Sequence, residues 1–203
     1  MTQRHYFIAD PENIGHERVL KPDFFGQSFT FTTCGGLFSY EKPDAASILL
    51  LDVLKNTTPP LQGEILDLGC GYGLLGIVLA KTHAQNAAFT LSDVNEIACE
   101  YARRNLLANR VTAQVVHSDG FAQLPRAFHH ITLNPPIHAG KETMYRLYQE
   151  TAAHLHTGGS LYIVIQKKHG AESTLAYLQQ IFHQVKILYK RKGHYIVQCT
   201  VEA

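Results

Sequence analysis

The chain carries the stretch ILDLGCGYGLLG at residues 65–76, and this stretch decides the fold. Residues 65–68 form a short apolar run that contains one acid, Asp67. That pattern is typical of a buried strand, and an apolar helix is predicted over residues 74–81. The glycines between the two predict a tight loop whose backbone can approach a ligand closely. A strand, a glycine-rich loop and a helix in this order predict a nucleotide-binding crevice at the carboxyl end of the strand.

The same alternation of short apolar runs and amphipathic segments continues to the end of the chain. Strands that alternate with helices predict a parallel sheet with helices on both faces, a doubly wound α/β fold. Only a short turn separates the last two strands, so we expect that pair to be antiparallel. The predicted strands are 65–68, 88–92, 111–117, 130–133, 160–165, 185–189 and 195–201, and the predicted helices are 45–54, 74–81, 96–105, 141–154 and 171–182.

The N-terminal segment has a different pattern. Residues 28–33 alternate polar and apolar side chains and are followed by two glycines, which predicts antiparallel hairpin structure. Asp44 precedes the apolar helix 45–54 and is placed to cap its N-terminus. We therefore expect a small N-terminal β extension over residues 1–40 and a main domain over residues 41–203.

Composition excludes several classes of protein. The chain has 203 residues, enough for one domain with a small appendage, and its formal net charge of +1 gives no global field that would attract nucleic acid or a membrane. Its first ten residues lack the apolar core of a signal peptide, and no apolar run approaches the roughly 20 residues of a membrane helix. The four cysteines lie far apart and the histidines show no metal-ligand spacing, so we expect no metal site and a cytoplasmic protein with reduced thiols. The sequence leaves the oligomeric state open.

Two kinds of cofactor are compatible with the glycine loop. Residues 71–76 match G-x-G-x-x-G, the dinucleotide fingerprint, but the first of these glycines lies three residues past the predicted strand. Asp67 would repel a pyrophosphate at the helix N-terminus, whereas it suits a cofactor that has an ammonium group and no phosphate. S-adenosylmethionine is such a cofactor, and we expect it rather than NAD.

Two further acids follow neighbouring predicted strands. Asp93 lies after the next strand, where an acid accepts hydrogen bonds from ribose hydroxyls, although it could instead cap the helix that starts at residue 96. Asp119 ends the third strand, although Asp119-Gly120 could also be a simple turn. Since the carboxyl ends of parallel strands share one edge of the sheet, both acids are expected beside the glycine loop.

The sequence Asn134-Pro135-Pro136-Ile137 follows the predicted strand 130–133. Two prolines cannot continue a strand, because each lacks an N–H and has a fixed φ, so the carbonyls here are expected to stay unpaired. The side-chain oxygen of Asn134 and the carbonyl of Pro135 could then accept hydrogen bonds from one exocyclic amino group and aim its lone pair at an electrophile. The simpler interpretation of an isolated Asn-Pro pair is a strand end followed by a turn.

Five stretches together carry a family resemblance: GLFS at 36–39, DLGCGYG at 67–73, SDGF at 118–121, NPPI at 134–137 and IQKK at 165–168. With them the chain resembles class I S-adenosylmethionine-dependent methyltransferases, in particular the ribosomal RNA guanine-N2 methyltransferase (RsmC-like) family, from about residue 29 to the C-terminus. The resemblance implies a seven-stranded, mostly parallel sheet whose last strand is antiparallel.

The resemblance also implies roles for single residues. Asp67 and the loop glycines would hold the methionine end of the cofactor, Asp93 the ribose hydroxyls and Asp119 the adenine amino group, while Asn134 would hold the target amine. The residues assigned to the cofactor are Asp67, Gly69, Gly71, Gly73, Asp93 and Asp119. The catalytic candidates are Asn134, Pro135, Pro136 and Ile137, and the candidates for substrate contact are Phe38, His138 and Lys167.

The expected reaction is methyl transfer from S-adenosylmethionine to an exocyclic amino nitrogen of a base in RNA. Guanine N2 of ribosomal RNA is the expected target, presented by folded RNA or an assembled ribosomal subunit. The chain departs from the family in having Ile137 where many Asn-Pro-Pro enzymes have an aromatic residue, and it has no room for the extra N-terminal domain of the larger members. Three alternatives stay open: a protein glutamine N-methyltransferase, a non-catalytic RNA- or ribosome-binding module with this fold, and a nicotinamide-dependent dehydrogenase.

Overall fold

The computed structural model describes residues 15–124, 126–135, 140–191 and 193–202. Three predicted site residues, Pro136, Ile137 and His138, lie outside the described residues. The strands are β1 (Arg18–Leu20), β2 (Asp23–Phe24), β3 (Gln27–Ser28), β4 (Phe31–Thr33), β5 (Glu64–Leu68), β6 (Ala88–Asp93), β7 (Gln114–His117), β8 (Phe128–Leu133), β9 (Leu155–Gln166), β10 (Gln184–Arg191) and β11 (His194–Thr200). The helices are α1 (Ala45–Thr57), α2 (Leu74–Thr82), α3 (Glu96–Asn109), α4 (Lys141–Ala153) and α5 (Ala171–Ile181).

Seven of the strands form one sheet in the order β10-β11-β9-β8-β5-β6-β7. The five strands from β9 to β7 are parallel to one another, while β11 runs antiparallel to both β9 and β10. The predicted doubly wound, mostly parallel seven-stranded sheet with an antiparallel last strand is therefore confirmed.

The sheet has a hydrophobic core on each face. Adjacent residues of β5 point to opposite faces, so Ile65 joins the core formed with α1, α2 and α3, and Leu66 joins the core formed with α4 and α5. Both side chains are fully buried. Burial on both faces explains why the central strands are continuous apolar runs in the sequence rather than alternating ones.

The strand order reverses beside β5. The chain proceeds from β5 to β6 and β7 in one direction, and then returns to place β8 on the other side of β5. The loops that follow β5 and β8 therefore diverge to opposite faces and leave a crevice at the carboxyl edge, which is where α/β sheets bind ligands.

Several predicted segments differ from the observed structure. The strand predicted over residues 111–117 begins only at Gln114, and the helix predicted over residues 96–105 continues to Asn109. The strand predicted over residues 160–165 begins earlier, at Leu155, and the glycines Gly158 and Gly159 lie in a bulge where the pairing with β8 skips from Leu155 to Ser160. The segment 28–33, predicted to form antiparallel hairpin structure, contributes to two strands, β3 and β4, which pair antiparallel with β2 and β1 respectively. The N-terminal strands are thus antiparallel as expected, but they form two short pairs. The division of the chain at residue 40 stays a prediction.

Two asparagines on α3 explain why β4 needs no second strand partner. Asn105 accepts a hydrogen bond from the N–H of Thr32 at 2.7 Å and donates to its carbonyl at 2.9 Å. Asn109 makes the same pair of bonds to Thr30, at 2.9 and 2.7 Å. The two side chains lie one helical turn apart and bind alternate residues of one strand edge. Asn105 also donates to the carbonyl of Tyr72 at 2.8 Å, so it ties the N-terminal segment to the glycine loop.

We predict that Asn105→Ala lowers the free energy of unfolding by roughly 2–4 kcal/mol, because it removes the side-chain partners of the part-buried backbone groups of Thr32 and of the buried carbonyl of Tyr72. Urea denaturation measures the change. Asn56→Ala, at an exposed position of α1, is the matched control and should stay within about 0.5 kcal/mol of the unmodified protein. A loss of stability for Asn105→Ala as small as that of the control would contradict the structural role of the hydrogen bonds that Asn105 makes to Thr32 and Tyr72.

Candidate active site

A cavity of about 420 Å³ lies at the carboxyl edge of the sheet, between the loops that follow β5, β6, β7 and β8. Its size is in the range that holds cofactors. This cavity is lined by most of the described residues that the sequence analysis predicted to bind the cofactor or take part in the reaction. They are Phe38, Asp67, Gly69, Gly71, Asp93, Asp119, Asn134 and Pro135. The structure therefore brings together residues that are far apart in the chain.

Backbone hydrogen bonds to the neighbouring strand fix the glycine loop. The N–H groups of Gly69 and Cys70 both donate to the carbonyl of Ser92 on β6, at 2.8 and 2.9 Å. Gly73 does not line the cavity but ends the loop at φ 91°, where a Cβ atom would lie 2.9 Å from Ile77 Cδ1. The positive φ of Gly73 favours glycine whatever the space around it, and its role in holding the cofactor stays a prediction.

Asp67 is almost fully buried beneath the loop. Its Oδ2 accepts the N–H of Gly76 at 2.9 Å and its Oδ1 accepts the hydroxyl of Thr132 at 3.1 Å. Burial raises the pKa of Asp67 to about 7, although these two hydrogen bonds favour the ionised form. A cation placed beside this carboxylate would offset the cost of burying its charge.

Asp93, at the end of β6, holds the loop and still has acceptor capacity. Its Oδ2 accepts the N–H of Gly71 at 2.8 Å, and its Oδ1 accepts the N–H of Asn95 at 2.9 Å. Asn95, not Asp93, caps α3. Burial raises the pKa of Asp93 above its ordinary value. Since a carboxylate has about four lone-pair sites, acceptor capacity remains for a hydroxyl donor such as that of a ribose.

Asp119 lies in the loop after β7 and is paired with an arginine that the sequence analysis did not nominate. Arg146 on α4 donates to Asp119 at 2.6 Å and to Glu150 at 2.9 Å. The Asp119 side chain is 66% exposed and lines the cavity. Arg146 lines the same cavity. Its spacing of four residues from Glu150 was visible in the sequence as a helical ion pair, but its approach to Asp119 was not.

Asn134 and Pro135 form the wall of the cavity at the end of β8. Asn134 Nδ2 donates to Asp44 Oδ2 at 2.7 Å and to Ser47 Oγ at 2.9 Å. A carboxylate only accepts hydrogen bonds, so these contacts identify the amide nitrogen and leave Oδ1 as the acceptor. The predicted cap of α1 by Asp44 is present, with Asp44 Oδ2 accepting the N–H of Ser47 at 2.8 Å. The contact of this cap with Asn134 had no signal in the sequence.

The two described residues that were predicted to contact the substrate, Phe38 and Lys167, lie at different distances from the cavity. Phe38 lines the cavity from the loop before α1 and is 49% exposed. Lys167 is exposed where β9 ends, and among the described residues it belongs to the lining of neither this cavity nor the one beside it. Phe38 therefore lies in the same cavity as Asn134, and Lys167 lies outside the lining of both cavities.

A second cavity of about 310 Å³ adjoins the first and shares Asn134 and Pro135 with it. Tyr145 and Tyr148 of α4 and Gln166 of β9 also line it. The ring of Tyr145 is stacked on that of another tyrosine at a centroid distance of 3.7 Å, which fixes its plane. The Asn-Pro pair therefore separates two cavities, and each side can hold a different molecule.

The larger cavity fits a positively charged nucleoside cofactor better than a dinucleotide. Among its described lining residues are four carboxylates (Asp44, Asp67, Asp93 and Asp119) and one guanidinium, and such a field repels phosphates and attracts a sulfonium or ammonium group. Tyr72 Oη and Ser92 Oγ are buried in its wall and find no hydrogen-bond partner in the part of the chain that the structure describes. Buried polar atoms in proteins are nearly always hydrogen-bonded, and a polar ligand in this cavity would supply the hydrogen-bond partner.

One group of side chains at the opposite edge of the sheet resembles a metal site by proximity. Ligand atoms of Glu64, His129 and His156 lie within 4.8 Å of one another. His129 Nδ1, however, accepts the N–H of Glu64 at 3.1 Å, so a neutral ring has its proton on Nε2 and offers no second lone pair. Arg126 also lies 3.6 Å from the Glu64 carboxylate. The absence of a metal stays a prediction, and this arrangement does not favour a metal ion.

Within the described ranges, no helix is long and apolar enough to cross a membrane.

Comparison with known proteins identifies the family. The sequence model of the family described as "Methyltransferase small domain" matches residues 28–198. An uncharacterised protein of Bacillus subtilis, YbxB, is 36% identical over 197 residues, which are 96% of both chains. Ribosomal RNA small subunit methyltransferase C of Vibrio cholerae is 35% identical over 175 residues, 83% of this chain and 48% of the relative. The chain thus spans about half the length of the curated ribosomal RNA methyltransferases it matches.

Solved structures agree with the sequence relatives. A T. thermophilus 16S rRNA N2 methyltransferase, RsmC, in complex with AdoMet and guanosine, superposes with a TM-score of 0.82 at 28% identity, over 92% of this chain and 51% of that one. A methyltransferase from Pyrococcus furiosus gives a TM-score of 0.67 at 22% identity, over 77% and 83% of the two chains, and supports the fold alone. The chain therefore belongs to the methyltransferase small domain family, and it is an enzyme of the S-adenosylmethionine-dependent methyltransferase class that its sequence predicted.

Proposed function

We propose that this chain transfers a methyl group from S-adenosylmethionine to an exocyclic amino nitrogen of a base in RNA, with guanine N2 of ribosomal RNA as the target. One observation carries the proposal: Asn134 and Pro135 line both an acidic cofactor-sized cavity and a second cavity lined by tyrosines, and the bonds of Asn134 Nδ2 to α1 leave its Oδ1 as an acceptor. An amine that enters from the second cavity meets two acceptors at the boundary with the first.

S-adenosylmethionine is the cofactor, and it supplies an electrophilic methyl group on a sulfonium sulfur. In our proposal Asp67 attracts its ammonium group and the backbone of Gly69 and Gly71 lies against its methionine end. Asp93 accepts hydrogen bonds from the ribose hydroxyls with the lone pairs that the loop leaves unused. Asp119 accepts the adenine amino group at the mouth of the cavity, with Arg146 holding its carboxylate in place.

The chain's own residues contribute mainly position and hydrogen bonding. The lone pair of an exocyclic aromatic amine is delocalised into its ring, which makes the amine a poor nucleophile. Asn134 Oδ1 and the Pro135 carbonyl accept its two hydrogens and localise the lone pair on nitrogen as the transition state forms. Because the methylated nitrogen becomes strongly acidic, it can lose its proton to water, and no dedicated base is required.

The second cavity is the proposed site for the target base. Tyr145 and Lys141 both line it, with the ring of Tyr145 stacked on Tyr177 and the Lys141 ammonium 5.1 Å from the centre of the Tyr145 ring, so the cavity offers aromatic and cationic groups to a base. The similarity to an RsmC structure with bound guanosine supports guanine, and the ribosomal RNA methyltransferases among the relatives support a ribosomal target. A ribosomal substrate also supports the cytoplasm as the compartment.

The test of this function is transfer of labelled methyl from S-adenosylmethionine to ribosomal subunits, naked ribosomal RNA and soluble protein, all prepared from cells that lack this gene. We expect label in RNA, and nucleoside mass spectrometry should identify N2-methylguanosine. Label confined to protein would replace the proposal with glutamine methylation. Label in no acceptor, with cofactor binding intact, would favour a binding module.

Removing the amide at the boundary should abolish most of the chemistry without affecting the cofactor. Asn134→Ala is expected to lower kcat by roughly 100-fold or more, since it removes one of two acceptors that act in the transition state. The dissociation constant of S-adenosylmethionine, from calorimetry, should change less than about twofold. Single-turnover rates equal to those of the unmodified protein would refute the role of Asn134.

Cofactor binding should depend on pH through Asp67. Since burial raises the pKa of Asp67 to about 7, its carboxyl group is mostly protonated at pH 6 and attracts the cofactor's ammonium only as the pH rises. Affinity for S-adenosylmethionine is therefore expected to be about fivefold weaker at pH 6 than at pH 7. Asp67→Asn, the control, should bind more weakly and with a flat profile over this range. A flat profile for the unmodified protein would contradict the contact.

A further inference from the structure

The amide of Asn134 is held by a helix N-terminus that lies 90 residues earlier in the chain. Asp44 Oδ2 accepts two hydrogen bonds, from the backbone N–H of Ser47 at 2.8 Å and from Asn134 Nδ2 at 2.7 Å. Ser47 Oγ accepts the other Nδ2 hydrogen at 2.9 Å. Ser47 is buried, and Asp44 and Ser47 both line the cofactor cavity beside Asn134.

These bonds exceed what capping of the helix requires. An N-cap needs one side-chain oxygen on the N–H two or three residues later, and the Asp44–Ser47 bond provides it. The serine hydroxyl takes no part in this cap, because Ser47 contributes only its backbone N–H. The contacts of Asp44 and Ser47 with Asn134 therefore need a separate explanation.

The chemistry of the three groups allows one orientation of the amide. A flip about χ2 of Asn134 would place its carbonyl oxygen against the carboxylate of Asp44, two acceptors with no hydrogen between them. It would also turn the NH₂ group of Asn134 toward the target amine, which presents hydrogens of its own. Productive binding thus requires that Nδ2 faces α1 and that Oδ1 faces the substrate.

The charge of Asp44 adds a second effect in the same direction. A carboxylate that accepts from an amide N–H draws electron density toward the amide oxygen, because hydrogen bonds in a chain polarise one another. Oδ1 then becomes a better acceptor for hydrogens whose positive charge grows in the transition state.

We propose that Asp44 and Ser47 are positioning residues for methyl transfer, which fix and polarise the Asn134 amide so that Oδ1 receives the target amine. Neither residue has to touch the substrate. The inference rests on the proposed function, since it concerns the amine acceptor that this function assigns to Asn134.

Two substitutions separate positioning from helix capping. Ser47→Ala removes the hydroxyl but keeps the backbone N–H that the cap uses. Asp44→Ser keeps a good N-cap residue but is too short to reach Asn134. Both variants are expected to lose kcat by roughly 10-fold, with KM and the cofactor dissociation constant changed less than about twofold. Ser47→Thr, which retains the hydroxyl, should restore kcat. Asp52→Ser, at an exposed position of the same helix, is the matched control and should have the kcat of the unmodified protein.

A readout independent of activity is the pair of side-chain amide signals of Asn134 in a ¹⁵N–¹H NMR spectrum, assigned by their loss in Asn134→Ala. Ser47→Ala and Asp44→Ser are expected to shift these signals and speed their exchange with water, while Asp52→Ser leaves them in place. Unchanged kcat in an active enzyme, or unchanged amide signals, would overturn the proposal. Failure of the unmodified protein to methylate RNA would instead refute the proposed function, and the amide signals would still decide whether Asp44 and Ser47 orient Asn134.

Discussion

The reversal of strand order beside β5 is the constraint on which the rest of the structure depends. It brings the ends of β5, β6, β7 and β8 to one edge of the sheet and opens a crevice there. Each strand then contributes a chemical group at its carboxyl end: the glycine loop after β5, Asp93 at the end of β6, Asp119 after β7, and Asn134 after β8. Residues separated by tens of positions become neighbours because of strand order, which is why the alternation of strands and helices in the sequence could already place the acids beside the glycine loop.

Hydrogen bonds within the chain hold the cofactor side of this crevice. Carbonyl and carboxylate groups of β6 accept hydrogen bonds from the loop N–H groups of Gly69, Cys70 and Gly71 and so fix the conformation of the loop. Several carboxylates share this partly buried space, and burying their charge costs free energy. Burial accordingly raises the pKa values of Asp67 and Asp93. A cofactor with a positive charge offsets that cost, which links the stability of the site to the identity of its ligand.

The sequence predicted what depends on local pattern and missed what depends on distance. The alternation of strands and helices, the glycine loop and the cap at Asp44 are properties of short segments, and the structure contains all of them. The contacts from Asp44 to Asn134 and from Arg146 to Asp119 join segments that are far apart in the chain. The hydrogen bonds from Asn105 to Thr32 were not predicted for a related reason. An asparagine within a helix is usually exposed, and only the complete burial of Asn105 in the structure shows its role.

The charge of the site also limits how an RNA could approach it. Carboxylates on the cofactor side repel phosphates, so a nucleotide can present only its base to the boundary formed by Asn134 and Pro135. A base inside a duplex would have to leave its stack at a cost of a few kcal/mol, whereas a base in a loop or single strand avoids much of it. A formal net charge of +1 supplies little general attraction for RNA, so affinity has to come from a folded surface that fits around the crevice. For the RNA substrate that we propose, these physical demands favour a structured ribonucleoprotein with an accessible base over free nucleotides or uniform duplex.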